Sequence, residues 1–117
     1  MDEKNLVQLS KSFAIRIIQI CKEIRVNRNE TVLVNQLLRS GTSIGANIHE
    51  GNYASSRLDF INKLQIALKE CYETAYWLDI FQETGYITQE ENTELTEACN
   101  KIRVKLTASI RTAKEKL

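Results

Sequence analysis

Few side chains in this sequence are able to do chemistry. There is one histidine, His49, followed by Glu50, and there are three cysteines, Cys21, Cys71 and Cys99. A di-metal centre in a helical bundle needs Glu-x-x-His motifs on two helices, and one histidine cannot supply them. Each cysteine stands alone among apolar residues at helical spacing, the pattern of a reduced core thiol rather than of a disulfide framework or zinc knuckle. Ser43 and the cysteines have only His49 to share as a base. It lies six residues beyond Ser43 and so off its helical face, which leaves no activated nucleophile. His49 reads instead as a surface or capping residue. Glu50, Glu70 and Glu73 offer at most a poor, carboxylate-only cation set. The expectation is a protein without catalytic residues, metal or cofactor, and not an enzyme.

Two charged sets remain. Arg39, Ser43, Asn47 and Glu50 recur at helical spacing as one polar stripe, and a later segment carries Lys63, Glu70 and Glu73. Pairing of Arg39 with Glu70 or Glu73, in a buried or interfacial network, would fix the register of the two segments. The second set lies between Lys101 and Lys116, where six residues are basic and one is acidic. On a helical wheel Lys101, Lys105 and Lys116 fall together beside the core. Repeated around an oligomer, such a stripe neutralises many phosphates of RNA or DNA and gives affinity that falls steeply with salt. The plainer reading is a solvated face whose lysines compensate the helix dipole. No aromatic residue is interleaved with these lysines, so the expectation is recognition of charge or shape without base stacking. A helix-turn-helix around Ser40-Gly41-Thr42-Ser43 is disfavoured, because Thr42 to Glu50 holds no Lys or Arg to meet phosphate or guanine.

These sets must be positioned by helices. The chain has no proline, and its apolar residues recur at intervals of three and four. Leu6, Leu9, Phe13, Ile17, Ile20 and Ile24 mark a helix over about 4–27, closed by Asn27-Arg28-Asn29. Leu33, Leu37, Ser40/Gly41, Ile44 and Ile48 mark a second over about 30–50, with Gly51 read as a left-handed cap. Ser56 with Asp59 resembles a capping box and opens a third helix over about 56–84, whose seam reads Leu64, Leu68, Cys71, Ala75, Leu78 and Phe81. Thr88 with Glu91 is a second capping box and opens a fourth over about 88–115, with seam residues Leu95, Ala98/Cys99, Ile102, Leu106, Ile110 and Ala113. Small residues at Ser40, Gly41, Gly45 and Ala46 would let a neighbouring backbone approach closely, which offsets the ~1 kcal/mol that Gly costs inside a helix.

Four helices with short connections predict an antiparallel up-down-up-down four-helix bundle. A chain of 117 residues, 43% apolar and 26% charged, fits one soluble globular domain over 1–117. Its net charge of +1 gives no whole-molecule pull toward nucleic acid, so any basic surface is local. The acidic N-terminus does not resemble a secretory signal, and no apolar run approaches the ~18–20 residues that span a bilayer, which predicts a cytoplasmic protein that makes no membrane contact. The apolar surface is wide for a monomer. The first helix adds Val7, Ala14, Ile15, Ile18 and Cys21 to its seam, and the third adds Phe60, Ile61, Ile66, Tyr72, Tyr76, Trp77 and Ile80. Such width predicts a homo-oligomer.

The run QLLRSGTSIGANIHEG, followed after a short gap by DFINKLQIALKECYETAYWL, closely resembles the small four-helix-bundle proteins encoded in intervening sequences of bacterial 23S rRNA genes. The resemblance covers roughly residues 8–112. The matching positions are Arg39, Ser40, Ser43, Ile44, Gly45, Asn47, Glu50, Gly51, Leu68, Glu70, Glu73 and Trp77. Gly41 and His49 depart from it, standing where Ala or another small residue is commoner. That family is similar in fold to the accessory variability proteins of diversity-generating retroelements, basic bundles that partner a reverse transcriptase and nucleic acid. The resemblance implies an antiparallel bundle assembled as a ring-like homopentamer, and it implies no defined enzymatic activity. It leaves two partner classes open. One is RNA or DNA, met through the basic face of a ring. The other is a protein docked on a structural scaffold.

Overall fold

The computed structural model describes residues 3–117 as four helices, α1 Glu3–Arg28, α2 Val32–Gly51, α3 Arg57–Glu83 and α4 Gln89–Glu115, with no strand among the described residues. The ends follow from local chemistry. Asn29 takes a left-handed backbone (φ 54°), which Asn tolerates better than most residues, and stops α1. The start of α2 is capped by Glu30 rather than by the N-cap residue Thr31, the Glu30 carboxylate accepting the Leu33 N–H at 2.9 Å. At α3 the Ser56 hydroxyl accepts the Asp59 N–H (3.0 Å), and the Asp59 carboxylate accepts from Ser55 rather than from Ser56 itself. Thr88 and Glu91 form the full reciprocal box, each side chain accepting the other's backbone N–H.

Gly51 is not the left-handed cap that the sequence predicts. It lies inside α2, and the cap is Asn52 in the right-handed region, its N–H shared among the last carbonyls of the helix. A Cβ there would meet Phe60 and Leu64 of α3 at 3.6 and 3.7 Å, ordinary contact, so packing does not demand glycine at this position. The left-handed glycine is Gly85 (φ 84°), just past α3, where backbone N–H groups of Tyr86 and Ile87 both turn back to the Phe81 carbonyl.

Packing joins α1 to α2, α2 to α3 and α3 to α4, and is sparsest between α1 and α4. The molecule measures 48 × 22 × 19 Å, one long helix high and two helices across. The core follows the predicted seams of α1 and α4 closely, but on α3 it is rotated. Ile61, Ala67 and Thr74 are buried there, whereas Leu68 and Ala75 sit at its margin. Much of the apolar surplus is absorbed within the chain. Cys21 and Ile61 belong to the core, and Val7, Phe60, Trp77 and Ile80 pack against it. Of that surplus Ile15 and Ile18 on α1 and Ile66, Tyr72 and Tyr76 on α3 stay exposed, as do Val26 of α1, Val32 of α2, Leu58 of α3 and Val104 of α4. No helix among the described residues is long and apolar enough to cross a membrane.

Candidate functional site

The α2–α3 seam carries the predicted polar network. Arg39 of α2 reaches Glu70 through Nη1 at 3.3 Å and Glu73 through Nη2, so one guanidinium holds both carboxylates. Glu73 also accepts the indole N–H of Trp77 at 3.2 Å. Arg39 holds the Glu73 carboxyl below its ordinary range, and the indole N–H adds to this. About three turns further along α2, Lys63 pairs with Glu50 at 3.0 Å. Ser43 and Asn47 do not join across the seam. The Ser43 hydroxyl donates to the Arg39 carbonyl and the Asn47 amide to the Ser43 carbonyl, bonds within α2 that relieve short polar side chains in a helix.

Of the two settings expected for the network, buried or interfacial, it is not buried within the chain. Arg39 has 48% of its side chain exposed, and only Glu70 is well covered, at 16%. Long charged side chains keep their heads in water while their stems lie on apolar surface, so this is a surface clamp. Beneath it lies a pair that the sequence reading missed. Thr74 donates to Ser40 at 3.0 Å, Ser40 donates to the Leu37 carbonyl, and both residues are fully buried. Thr74 stands midway between Cys71 and Leu78 in the α3 seam, which is the spacing that marks it as a core position.

The carboxylates considered for a cation are thus already held by Lys63 and Arg39, and no cluster of metal-ligating residues occurs among the described residues. His49 is exposed at the end of α2 with its ring 5.3 Å from that of Tyr53. All three cysteines are free and buried, and burial pushes the Cys21 thiol up to about 11. The Cys99 thiol donates to the Cys71 backbone carbonyl at 3.6 Å, and the Cys71 thiol is pushed up by its side-chain hydrogen bond with Cys99 and then by burial.

The basic half of α4 divides into two stripes. Lys101, exposed, and Lys105, half-buried, are four residues apart on the α1 side, and Lys116 is the exposed C-cap. Lys101 lines the mouth of an open groove of about 810 Å³ between α1 and α4, floored by Leu9, Phe13, Leu95 and Ala98 and edged by Glu90, Glu94 and Glu97. Glu94 there pairs with Arg16 at 3.1 Å. The second stripe faces α3. Arg103 lies over the ring of Tyr72, 5.8 Å from its centroid, and Thr107, Arg111 and Lys114 continue its face. The aromatic neighbour missing from the α4 sequence is therefore supplied by α3. A wheel of α4 alone places Arg103 on a different flank from Lys101 but cannot show what meets it there.

A sequence model of the family described as 23S rRNA-intervening sequence protein matches residues 2–108. A crystal structure of a protein with unknown function from the S23 ribosomal protein family of Bacteroides thetaiotaomicron is similar to this chain, with 46% identity and a TM-score of 0.88. The likeness covers 90% of this chain and 97% of that one. No curated protein matches.

Proposed function

The chain belongs to the 23S rRNA-intervening sequence protein family, and from that premise we propose that it is a non-enzymatic cytoplasmic accessory protein that assembles as a ring-like homopentamer and binds RNA or DNA. Within each subunit the helices run antiparallel, up-down-up-down. Support for that course comes from contacts whose numbering ascends on one helix as it descends on the next, Arg39 with Glu70 and Glu73 and then Glu50 with Lys63. Support for a ring comes from the exposed apolar residues. Ile15 and Ile18 lie on α1 and Ile66 on α3, helices with no mutual packing, and exposed apolar side chains on two different faces of a subunit suit a head-to-tail contact that closes on itself.

The observation that carries nucleic-acid binding is the second half of α4. Its six cations, Lys101, Arg103, Lys105, Arg111, Lys114 and Lys116, form no ion pair among the described residues, so their charge is available to phosphate. The test is binding of nuclease-treated protein to structured RNA and duplex DNA across a salt series, with native mass read in the same buffer. Affinity falling by orders of magnitude between about 50 and 200 mM salt is expected. Replacing Lys101, Lys105 and Lys116 by Glu should weaken binding and leave helicity intact.

A second reading has one observation in its favour. The α1–α4 groove has an apolar floor and three glutamates against Arg16 and Lys101, a net acidic lining that suits a protein partner better than phosphate. Absence of nucleic-acid binding at low salt, with capture of a basic amphipathic partner that Glu90→Lys and Glu97→Lys abolish, would make the protein a docking scaffold instead.

A further inference from the structure

We propose that Tyr72 and Tyr76 of α3, with Arg103 of α4, form a platform on which the unpaired bases of single-stranded nucleic acid stack, the phosphates following Arg103, Arg111 and Lys114. This rests on the nucleic-acid reading above and specifies which surface holds the strand and in which form.

The two tyrosines are 57% and 58% exposed, belong neither to the core nor to the apolar fringe packed on it, and share a face because they are four residues apart. They are nonetheless held in place. Tyr76 and Trp77 meet at a steep angle, with ring centroids 5.1 Å apart and planes at 71°, and Trp77 is tied by its indole N–H to Glu73. Arg103 covers part of Tyr72, and its Nε donates to Asn100 at 3.4 Å, which orients the guanidinium and leaves its other donors free. Rings fixed before a base arrives lose little entropy when it does.

Charge around the platform has the right sign on one side only. Arg103, Thr107, Arg111 and Lys114 share one face of α4, and the last three border a shallow hollow of about 460 Å³ whose one carboxylate is Glu115. Beyond Tyr76 the exposed Asp79 and Glu83 repel phosphate, so the backbone is steered from the tyrosines toward the end of α4. Lys101 is less suited, since Glu90, Glu94 and Glu97 share its groove. Every base has a π-face, so a platform of this kind tolerates sequence. A duplex hides those faces in its own ~3.4 Å stack, whereas these rings stand one turn, about 6 Å, apart.

The test uses labelled oligouridylate and oligothymidylate beside a blunt RNA duplex, at about 50 mM salt. Tyr72→Ala/Tyr76→Ala should lower single-strand affinity about tenfold or more per ring and leave duplex affinity unchanged, while Tyr72→Phe/Tyr76→Phe should bind as the parent does. In the unmodified protein the fluorescence of Trp77, the one tryptophan, should change on adding the single strand and not the duplex. Single-strand binding that survives the alanine pair, or leaves Trp77 unmoved, and that is lost in Lys101→Glu/Lys105→Glu/Lys116→Glu would overturn the platform and leave the nucleic-acid reading standing. Failure of the parent protein to bind any of the three probes would overturn both.

Discussion

At Gly41 of α2 the neighbouring helix comes so close that a single carbon matters, while along the α1–α4 seam a groove of about 810 Å³ stays open. A Cβ at Gly41 would stand 2.9 Å from Cγ2 of Ile17, a residue with no exposed surface. In the open seam Ala98 sits half-buried on the groove floor with room above it. Both seams are lined by apolar residues at the same spacing, so hydrophobicity alone does not set how tightly two helices pack. What differs is whether the facing side chains fill the gap, since the Ile17 side chain occupies the space beside Gly41 whereas nothing fills the space above Ala98.

The largest expected effect tests that contrast directly. Gly41→Leu should destabilise by about 3 kcal/mol, since added carbons have nowhere to go in a filled core. Ala98→Leu should stay within about 0.5 kcal/mol of the parent, because it grows into the groove. Chemical denaturation of the two variants reads both, and equal losses would erase the distinction between the seams. Gly41→Ala repeated in an Ile17→Ala background sharpens it, as its cost should vanish once the clashing carbons are gone.

The next effect concerns the buried hydroxyls. Thr74→Val should cost about 1 kcal/mol by leaving Ser40 without its donor, and the double variant Ser40→Ala/Thr74→Val should lose less than the two singles summed. Strict additivity by thermal denaturation would mean that the hydroxyls do not act as a pair.

How much of this was legible in the sequence follows from what a single helix can reveal. Spacing of apolar residues and the Thr88–Glu91 box locate the four helices within a residue or two of their observed ends. The pairing of Arg39 with Glu70 and Glu73 was legible because opposite charges on adjacent helices seek each other. The rotation of α3 was not, since Leu68 and Ala75 look as apolar as Ile61 and more so than Thr74, and only the approach of Ser40 makes a threonine the better core residue. The Tyr72–Arg103 contact and the α1–α4 groove were hidden for the same reason. Each depends on the rotation of one helix against another, which periodicity along one chain segment does not encode.

Gly45 should separate the two helix glycines that look alike in sequence. A Cβ there would lie 3.4 Å from the Ser10 carbonyl and hydroxyl oxygens, near ordinary contact. Gly45→Ala should therefore gain up to about 1 kcal/mol from helix propensity, opposite in sign to Gly41→Ala. A loss at Gly45 as large as that at Gly41 would show that α2 is tight along its whole length against α1.

Acid should loosen the α2–α3 clamp before the α1–α2 contacts. Glu73 has its pKa lowered by Arg39, so its stabilising contribution is present above the ordinary glutamate value of 4.5 and is lost as pH falls below that toward the folded value. In Glu73→Gln this part of the acid slope should disappear. An unchanged slope between the parent and the variant would mean that the clamp adds nothing to folding.

The smallest effect belongs to the ion pair that crosses the open seam. Arg16 and Glu94 make two hydrogen bonds, at 3.1 and 3.2 Å, but their side chains are 33% and 55% exposed. Two long side chains must be ordered for an attraction that water and salt screen, so the pair contributes about 0.2–1 kcal/mol at low salt. Arg16→Ala should thus shift stability less than any change along α2, and added salt should remove what shift there is. A loss of more than about 2 kcal/mol, persisting in salt, would be out of scale for an exposed pair. It would mean that Arg16 holds α1 and α4 together through its apolar stem as well as its charge, and that the groove is a strained opening rather than a relaxed one.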